Sequence, residues 1–143
     1  MTIITMASTI DMQHMRYLNL FEQMTRIRTR FCFKYNETIF FCVPRPMVSK
    51  AIGKEGKNVK QINRILEKKI KVIPCPNGII DAKNFIENIV SPVTFKDIRI
   101  EGNTFILNAS TQSKAALIGR NKRRFLEMQK IVSDFFGKEF KIA

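Results

Sequence analysis

The second half of the chain repeats the first, and a repeat of this kind leaves few folds open. Shifted by 66 residues (118 − 52), Ile52 falls on Ile118, Gly53 on Gly119 and Lys54 on Arg120, while Val59, Ile62, Ile65 and Leu66 fall on Phe125, Met128, Ile131 and Val132. The apolar residues keep a helical rhythm after each glycine, and each copy closes on a short strand pattern, "KIKVI" in the first and "KEFKI" in the second. One structural unit is therefore built twice. Divided between two copies, 143 residues leave about 65 to 75 for each, near the lower limit at which a domain is comfortably stable.

Within the first copy, Ser8 with Asp11 has the form of a capping box, and Ile10, Tyr17, Leu18, Phe21 and Met24 recur at helical spacing, which predicts a helix over about residues 9 to 27. Phe31, Phe33 and Tyr35 alternate with Cys32 and Lys34, and after Asn36 and Glu37 the residues Ile39, Phe41 and Val43 alternate with Phe40 and Cys42. That is a hairpin, its aromatics expected to face a helix layer. "VPRP" interrupts it, a short helix leads to Gly53, and a second helix follows Gly56. "PCPNGIID" near residues 74 to 81 carries two prolines and an Asn-Gly pair, and Asp81 is placed to cap the helix after it. The boundary is set there: residues 1–75, with an extension of about 1–8, and residues 76–143. Ala82, Phe85, Ile86, Ile89 and Val90 then mark a helix, and "VTFKDIRI", "EGN" and "TFILNA" a second hairpin.

Charge follows the same repeat. The chain holds 25 Lys and Arg against 12 acidic residues, a formal charge of +13, which favours a polyanionic partner. Residues 45–71 carry nine basic residues against two acids and residues 114–130 six against one, leaving ten against nine elsewhere, so the excess sits around the two glycine-bearing loops. "MTIITMASTI" has no basic n-region, and no run approaches ~20 apolar residues, so a cytoplasmic protein with no membrane association is expected. Cys32, Cys42 and Cys75 fit neither a disulfide framework nor a zinc knuckle and read as buried thiols, with Cys32 and Cys42 able to face each other in one hairpin register only.

In "AIGKEGKNVKQINRIL", glycines at 53 and 56 between two helices allow a sharp turn and close approach of a ligand to the backbone. The amides opening the second helix favour an anion, and Lys54, Lys57 and Lys60 add positive charge around it. The nucleotide-hydrolysing alternative needs GxxxxGK followed by Ser or Thr, whose hydroxyl holds magnesium. Here the spacing is two residues short and Asn58 stands in the hydroxyl position. The dinucleotide fingerprint GxGxxG fails too, because the loop follows a helix and lacks its first glycine. A phosphate-holding loop without phosphate chemistry remains. No catalysis, cofactor or metal is expected, and the sole histidine, His14, lies within the first predicted helix.

"VSKAIGKEGKNVKQINRILEKKIKVI" resembles the helix-GxxG-helix-strand core of a KH domain, and the order helix, hairpin, helix, loop, helix, strand resembles the type II arrangement. Two such units in tandem resemble the archaeal NusA-like transcription factors. The resemblance implies an α+β fold of two type II KH domains, each a three-stranded sheet packed against three helices. It also implies single-stranded, nascent RNA as the partner, with the loop clamping the backbone of about four nucleotides. On that resemblance Gly53, Lys54, Glu55 and Gly56 form the first loop, Ile52 and Val59 flank the groove floor, and Lys57, Asn58 and Lys60 approach phosphates or sugars. In the second copy Gly119, Arg120, Asn121 and Lys122 form the loop after Ile118, with Arg123 and Arg124 adding charge, and Lys122 stands where the family has a glycine. The implied role is in transcription elongation or termination, with RNA polymerase or other transcription factors as further partners. A ribosome-associated structural or assembly role is the alternative, since KH domains also serve there.

Overall fold

The computed structural model describes residues 12–143, so the capping box at Ser8 and the N-terminal extension lie outside the described residues. The chain is an α+β protein whose contacts divide it into two compact units between Cys75 and Pro76. In the first, α1 (Met12–Thr25) leads to the hairpin β1 (Phe31–Tyr35) and β2 (Thr38–Val43). A 3-10 turn, α2 (Val48–Ile52), the loop, α3 (Lys57–Leu66) and β3 (Lys69–Pro74) follow. The second runs through α4 (Ala82–Val90), β4 (Asp97–Glu101), β5 (Thr104–Asn108), α5 (Thr111–Ile118), the second loop, α6 (Arg123–Phe136) and β6 (Glu139–Ile142).

Both sheets have the same mixed topology. β2 is central, antiparallel to β1 and parallel to β3, and β5 holds the same place between β4 and β6. A parallel pair cannot be joined by a tight turn and needs a crossover. In each unit the helix-loop-helix segment is that crossover, so both ends of the loop-bearing pair are anchored to neighbouring strands.

α1 turns Tyr17, Phe21 and Thr25 inward at four-residue spacing. It stops at Thr25, two residues before the sequence expectation. Arg26 adopts the left-handed conformation at φ 63, and the Thr25 hydroxyl donates to the Phe21 carbonyl at 2.7 Å while accepting the Ile27 amide at 3.1 Å. That hydroxyl satisfies the Ile27 amide, which lies beyond the helix, and adds a second donor to the Phe21 carbonyl. Phe21 stacks on Phe41 with ring centroids 4.5 Å apart. Around this pair Ile27, Cys32, Ile39, Val43, Ala51, Ile62 and Ile70 complete the helix-facing core.

The hairpin aromatics divide between the two faces of the sheet, which single alternation did not predict. Register pairs Cys32 with Phe41 and Phe33 with Phe40. Cys32 and Phe41 therefore meet the helices, while Phe33 and Phe40 stack on each other at 5.2 Å on the opposite face. That face is buried as well: Phe33, Tyr35 and Phe40 are 8%, 4% and 2% exposed. The second sheet has the ordinary one-sided pattern instead. Phe105, Leu107 and Phe140 are buried, while Asp97, Arg99, Glu101, Glu139 and Lys141 are exposed.

Two smaller expectations are corrected. Asp81 makes no side-chain cap for α4; its carboxylate accepts the Asn77 amide at 2.8 Å, closing the turn that precedes the helix. The register also separates Cys32 from Cys42, and Cys75, expected to be buried, is only partly so. Cys42 meets Cys75 instead: the Cys75 amide donates to the Val43 carbonyl at 2.8 Å. Burial and this neighbour push the Cys42 thiol well above its usual range, and the hydrogen bond from Cys42 lowers Cys75.

Candidate nucleic-acid interface

α2 ends when the Gly53 amide bonds the Ser49 carbonyl at 3.0 Å. Gly53 then takes φ 84, ψ 167, a region essentially restricted to glycine. Lys54, Glu55 and Gly56 form one tight turn, closed by the Gly56 amide on the Gly53 carbonyl at 3.0 Å. Glu55 (φ 56, ψ 28) and Gly56 (φ 73, ψ 20) are both left-handed. The N-cap of α3, Gly56, makes no side-chain cap hydrogen bond, so the first-turn amides keep the positive end of the helix dipole at the loop.

The second loop follows the same path with different residues. Gly119 has φ 75, ψ 175, Asn121 φ 56, ψ 29 and Lys122 φ 60, ψ 22, and the Lys122 amide bonds the Gly119 carbonyl at 3.2 Å. Replacement of the fourth glycine by Lys122 has left the backbone turn intact. Each loop places one residue suited to the left-handed region and one that is not: Gly56 offsets Glu55 in the first, Asn121 offsets Lys122 in the second. The Lys122 side chain nevertheless occupies space that Gly56 leaves free.

The two glycines of the first loop do different work. A Cβ on Gly53 would lie 3.0 Å from the Asn58 backbone nitrogen and side chain, whereas one on Gly56 would meet only Lys60 Cε at 3.8 Å. Gly53 makes room for the protein itself, and only Gly56 leaves room for a guest. What crowds Gly53 is a clasp: Asn58 Nδ2 donates to the Lys50 carbonyl at 3.3 Å, tying the start of α3 to α2. Arg124, the residue 66 positions on, crowds Gly119 in the same way, with Cγ 3.0 Å from the added Cβ, and its Nη1 donates to the Ala116 carbonyl at 2.9 Å. Asn and Arg share little except an N–H donor, and that donor is spent inside the protein in both units. Arg124→Ala is accordingly expected to speed hydrogen exchange at the Gly119 and Lys122 amides by roughly fivefold, about 1 kcal/mol of local stability. Asn58→Ala should do less at Gly53 and Gly56, because its bond is longer and exposed.

Of the other site residues singled out from sequence, Lys54, Glu55, Lys57 and Lys60 are exposed around the first loop, and Arg120, Asn121, Lys122 and Arg123 around the second. Ile52, Val59 and Ile118 are half-buried. Val59 packs on the core cluster. Among the described residues, Lys54, Lys57 and Lys60 make no ion pair. They line an open cleft of about 640 Å³ with Glu55, Gln61 and Arg64. Gln61 and Arg64 were missed in the sequence, although Lys57, Lys60, Gln61 and Arg64 have the spacing of one helix face. No group of three or more His, Cys, Asp or Glu side chains among the described residues is placed to hold a metal, and none of the described helices is long and apolar enough to cross a membrane.

No family model matches the chain. Three curated archaeal proteins, each named "Probable transcription termination protein NusA", are similar to it. The one from Methanococcus vannielii is 32% identical over 106 residues, covering 71% of this chain and 60% of that protein. That from Methanocaldococcus jannaschii is 30% identical over 84 residues, covering 59% and 44%, and that from Halococcus morrhuae is 25% identical over 138 residues, covering 90% and 97%. The chain thus spans about half the length of the first two relatives and nearly all of the third. A crystal structure of the protein APE1850 has the same fold, with a TM-score of 0.64 at 22% identity, covering 94% of this chain and 100% of that one. By sequence the chain is similar to archaeal proteins named as probable NusA, and by fold it is an α+β protein of two tandem units in the type II KH-like order.

Proposed function

We propose that this chain binds single-stranded RNA and acts on nascent transcripts during elongation or termination, with the first loop as the principal clamp on the RNA backbone. The observation that carries this reading is the site around Gly56: an open approach to the backbone at an uncapped helix start, surrounded by lysines that have no acidic partner among the described residues. A phosphate there gains helix-dipole attraction and mobile cations together. The second loop has the same path and more charge, but Lys122 fills the open side, so it contributes attraction without close backbone approach. Two such sites on one chain raise each other's effective concentration, which suits a long flexible strand better than a small ligand. The role in termination comes from the names of the similar proteins.

The chain is a binder on this reading and catalyses no reaction. RNA polymerase or another transcription factor is its protein partner, and recovery with ribosomal particles instead of polymerase from cell extracts would replace the transcriptional role with the ribosomal one. The direct test is fluorescence anisotropy with a labelled single-stranded RNA across a salt series. Lys54, Lys57 and Lys60 together should give log K against log salt a slope of about −2, at ~0.7 per phosphate neutralised on a single strand. An affinity indifferent to salt would remove the charge argument.

A further inference from the structure

We infer that the outer face of α3 is a second phosphate track, which holds RNA backbone beyond the nucleotides clamped at the loop. This inference rests on the RNA-binding reading above and adds a path to it. The cleft is bounded by Lys54 and Glu55 of the loop and by Lys57, Lys60, Gln61 and Arg64 of α3. The last four recur at intervals of three, one and three residues, so they form one stripe down the helix. From Lys57 to Arg64 the stripe extends about 10 Å along the axis, at ~1.5 Å per residue. Val59, on the same helix, is half-buried and packs on the core, so the stripe is a face apart from it.

Four features favour a polyanion there over a merely solvated helix face. Lys57, Lys60 and Arg64 make no ion pair among the described residues. Glu55 supplies the cleft's sole negative charge, and it lies at the loop end. Gln61 sits between the cations and can donate or accept without cost in charge. The fold itself does not require this pattern, because the corresponding positions of α6 read Arg123, Leu126, Glu127 and Lys130. There Leu126 is 55% exposed where the first unit has Lys60. A track that was only a by-product of the fold would recur in the second copy.

The path has a direction, and that makes it testable. The stripe leaves the loop toward the C-terminal end of α3, so RNA extended from a minimal four-nucleotide ligand should gain affinity when lengthened at one end and not at the other. Arg64→Glu should cancel that gain, weakening the extended RNA by about fivefold or more and reducing its salt slope by ~0.7, while the four-nucleotide ligand binds as before. Gln61→Glu, which copies the second unit, should have a smaller effect in the same direction. Both residues are exposed, so circular dichroism should remain native. Equal loss for short and extended RNA, or no loss for either, would overturn the track. If Gly56→Asp leaves the four-nucleotide ligand bound, or if the wild-type chain binds no single-stranded RNA, the clamp reading itself fails, and the track falls with it.

Discussion

Replacing Gly56 by aspartate is expected to reduce single-stranded RNA binding below detection in an anisotropy assay, while the thermal midpoint stays near that of the wild type. An added Cβ at this position meets only the flexible end of Lys60, at 3.8 Å, and aspartate tolerates the left-handed conformation better than most residues. The structural cost should stay near 1 kcal/mol, whereas a carboxylate placed where a phosphate must come repels it directly. Gly53→Ala makes the opposite case. Its φ 84, ψ 167 backbone and the 3.0 Å approach to Asn58 mean that alanine must displace the loop or strain it, at about 1 to 3 kcal/mol. That variant should melt earlier and bind poorly for a structural reason. Gly56→Asp is therefore the clean probe of the clamp. Retained binding in a folded Gly56→Asp protein would exclude the loop from the mechanism.

The largest effect on stability is expected at Phe41. Its side chain has no exposed surface and is stacked on Phe21 of α1, so Phe41→Ala should cost about 3 to 5 kcal/mol. Small domains have total stabilities of about 5 to 15 kcal/mol. A loss of this size would consume much of what the first unit has, because the cavity opens where the sheet meets α1. Urea denaturation should show the fall as a lower midpoint. Ile80, 87% exposed, provides the control, since its replacement by alanine should change stability by less than about 0.5 kcal/mol. A Phe41→Ala protein with the wild-type midpoint would mean that the core lies elsewhere.

The repeat at 66 residues is strong enough to place both loops, and apolar periodicity gives the elements in their order. What it misses is where one atom meets another. The end of α1 at Thr25 depends on Arg26 turning left-handed and on the Thr25 hydroxyl accepting the Ile27 amide, local geometry that apolar spacing does not report. The clasp is invisible by residue type, since Asn58 and Arg124 look unrelated until both are seen to donate to the carbonyl of the same turn of the preceding helix. The loop glycines appear equivalent in a motif, yet one faces protein and the other open space. The hairpin aromatics could not be divided between faces by alternation alone, because Phe31, Phe33 and Tyr35 on one strand and Phe40 and Phe41 on the next offer apolar residues to both sides. Register decides that, and register is a property of two strands together.

The parallel pairing of β2 with β3 also has a consequence in time. Ile39 lies opposite Ile70, and Phe41 opposite Val72. During synthesis the segment from α2 to α3 therefore leaves the ribosome before its far anchor does. α1 and the hairpin can form early from local contacts, but the α2–α3 crossover gains its far anchor only when β3 docks beside β2. The newborn chain can have its lysines and glycines in place and still lack a grip. If the loop is the RNA clamp proposed above, the first unit acquires it only with its last strand.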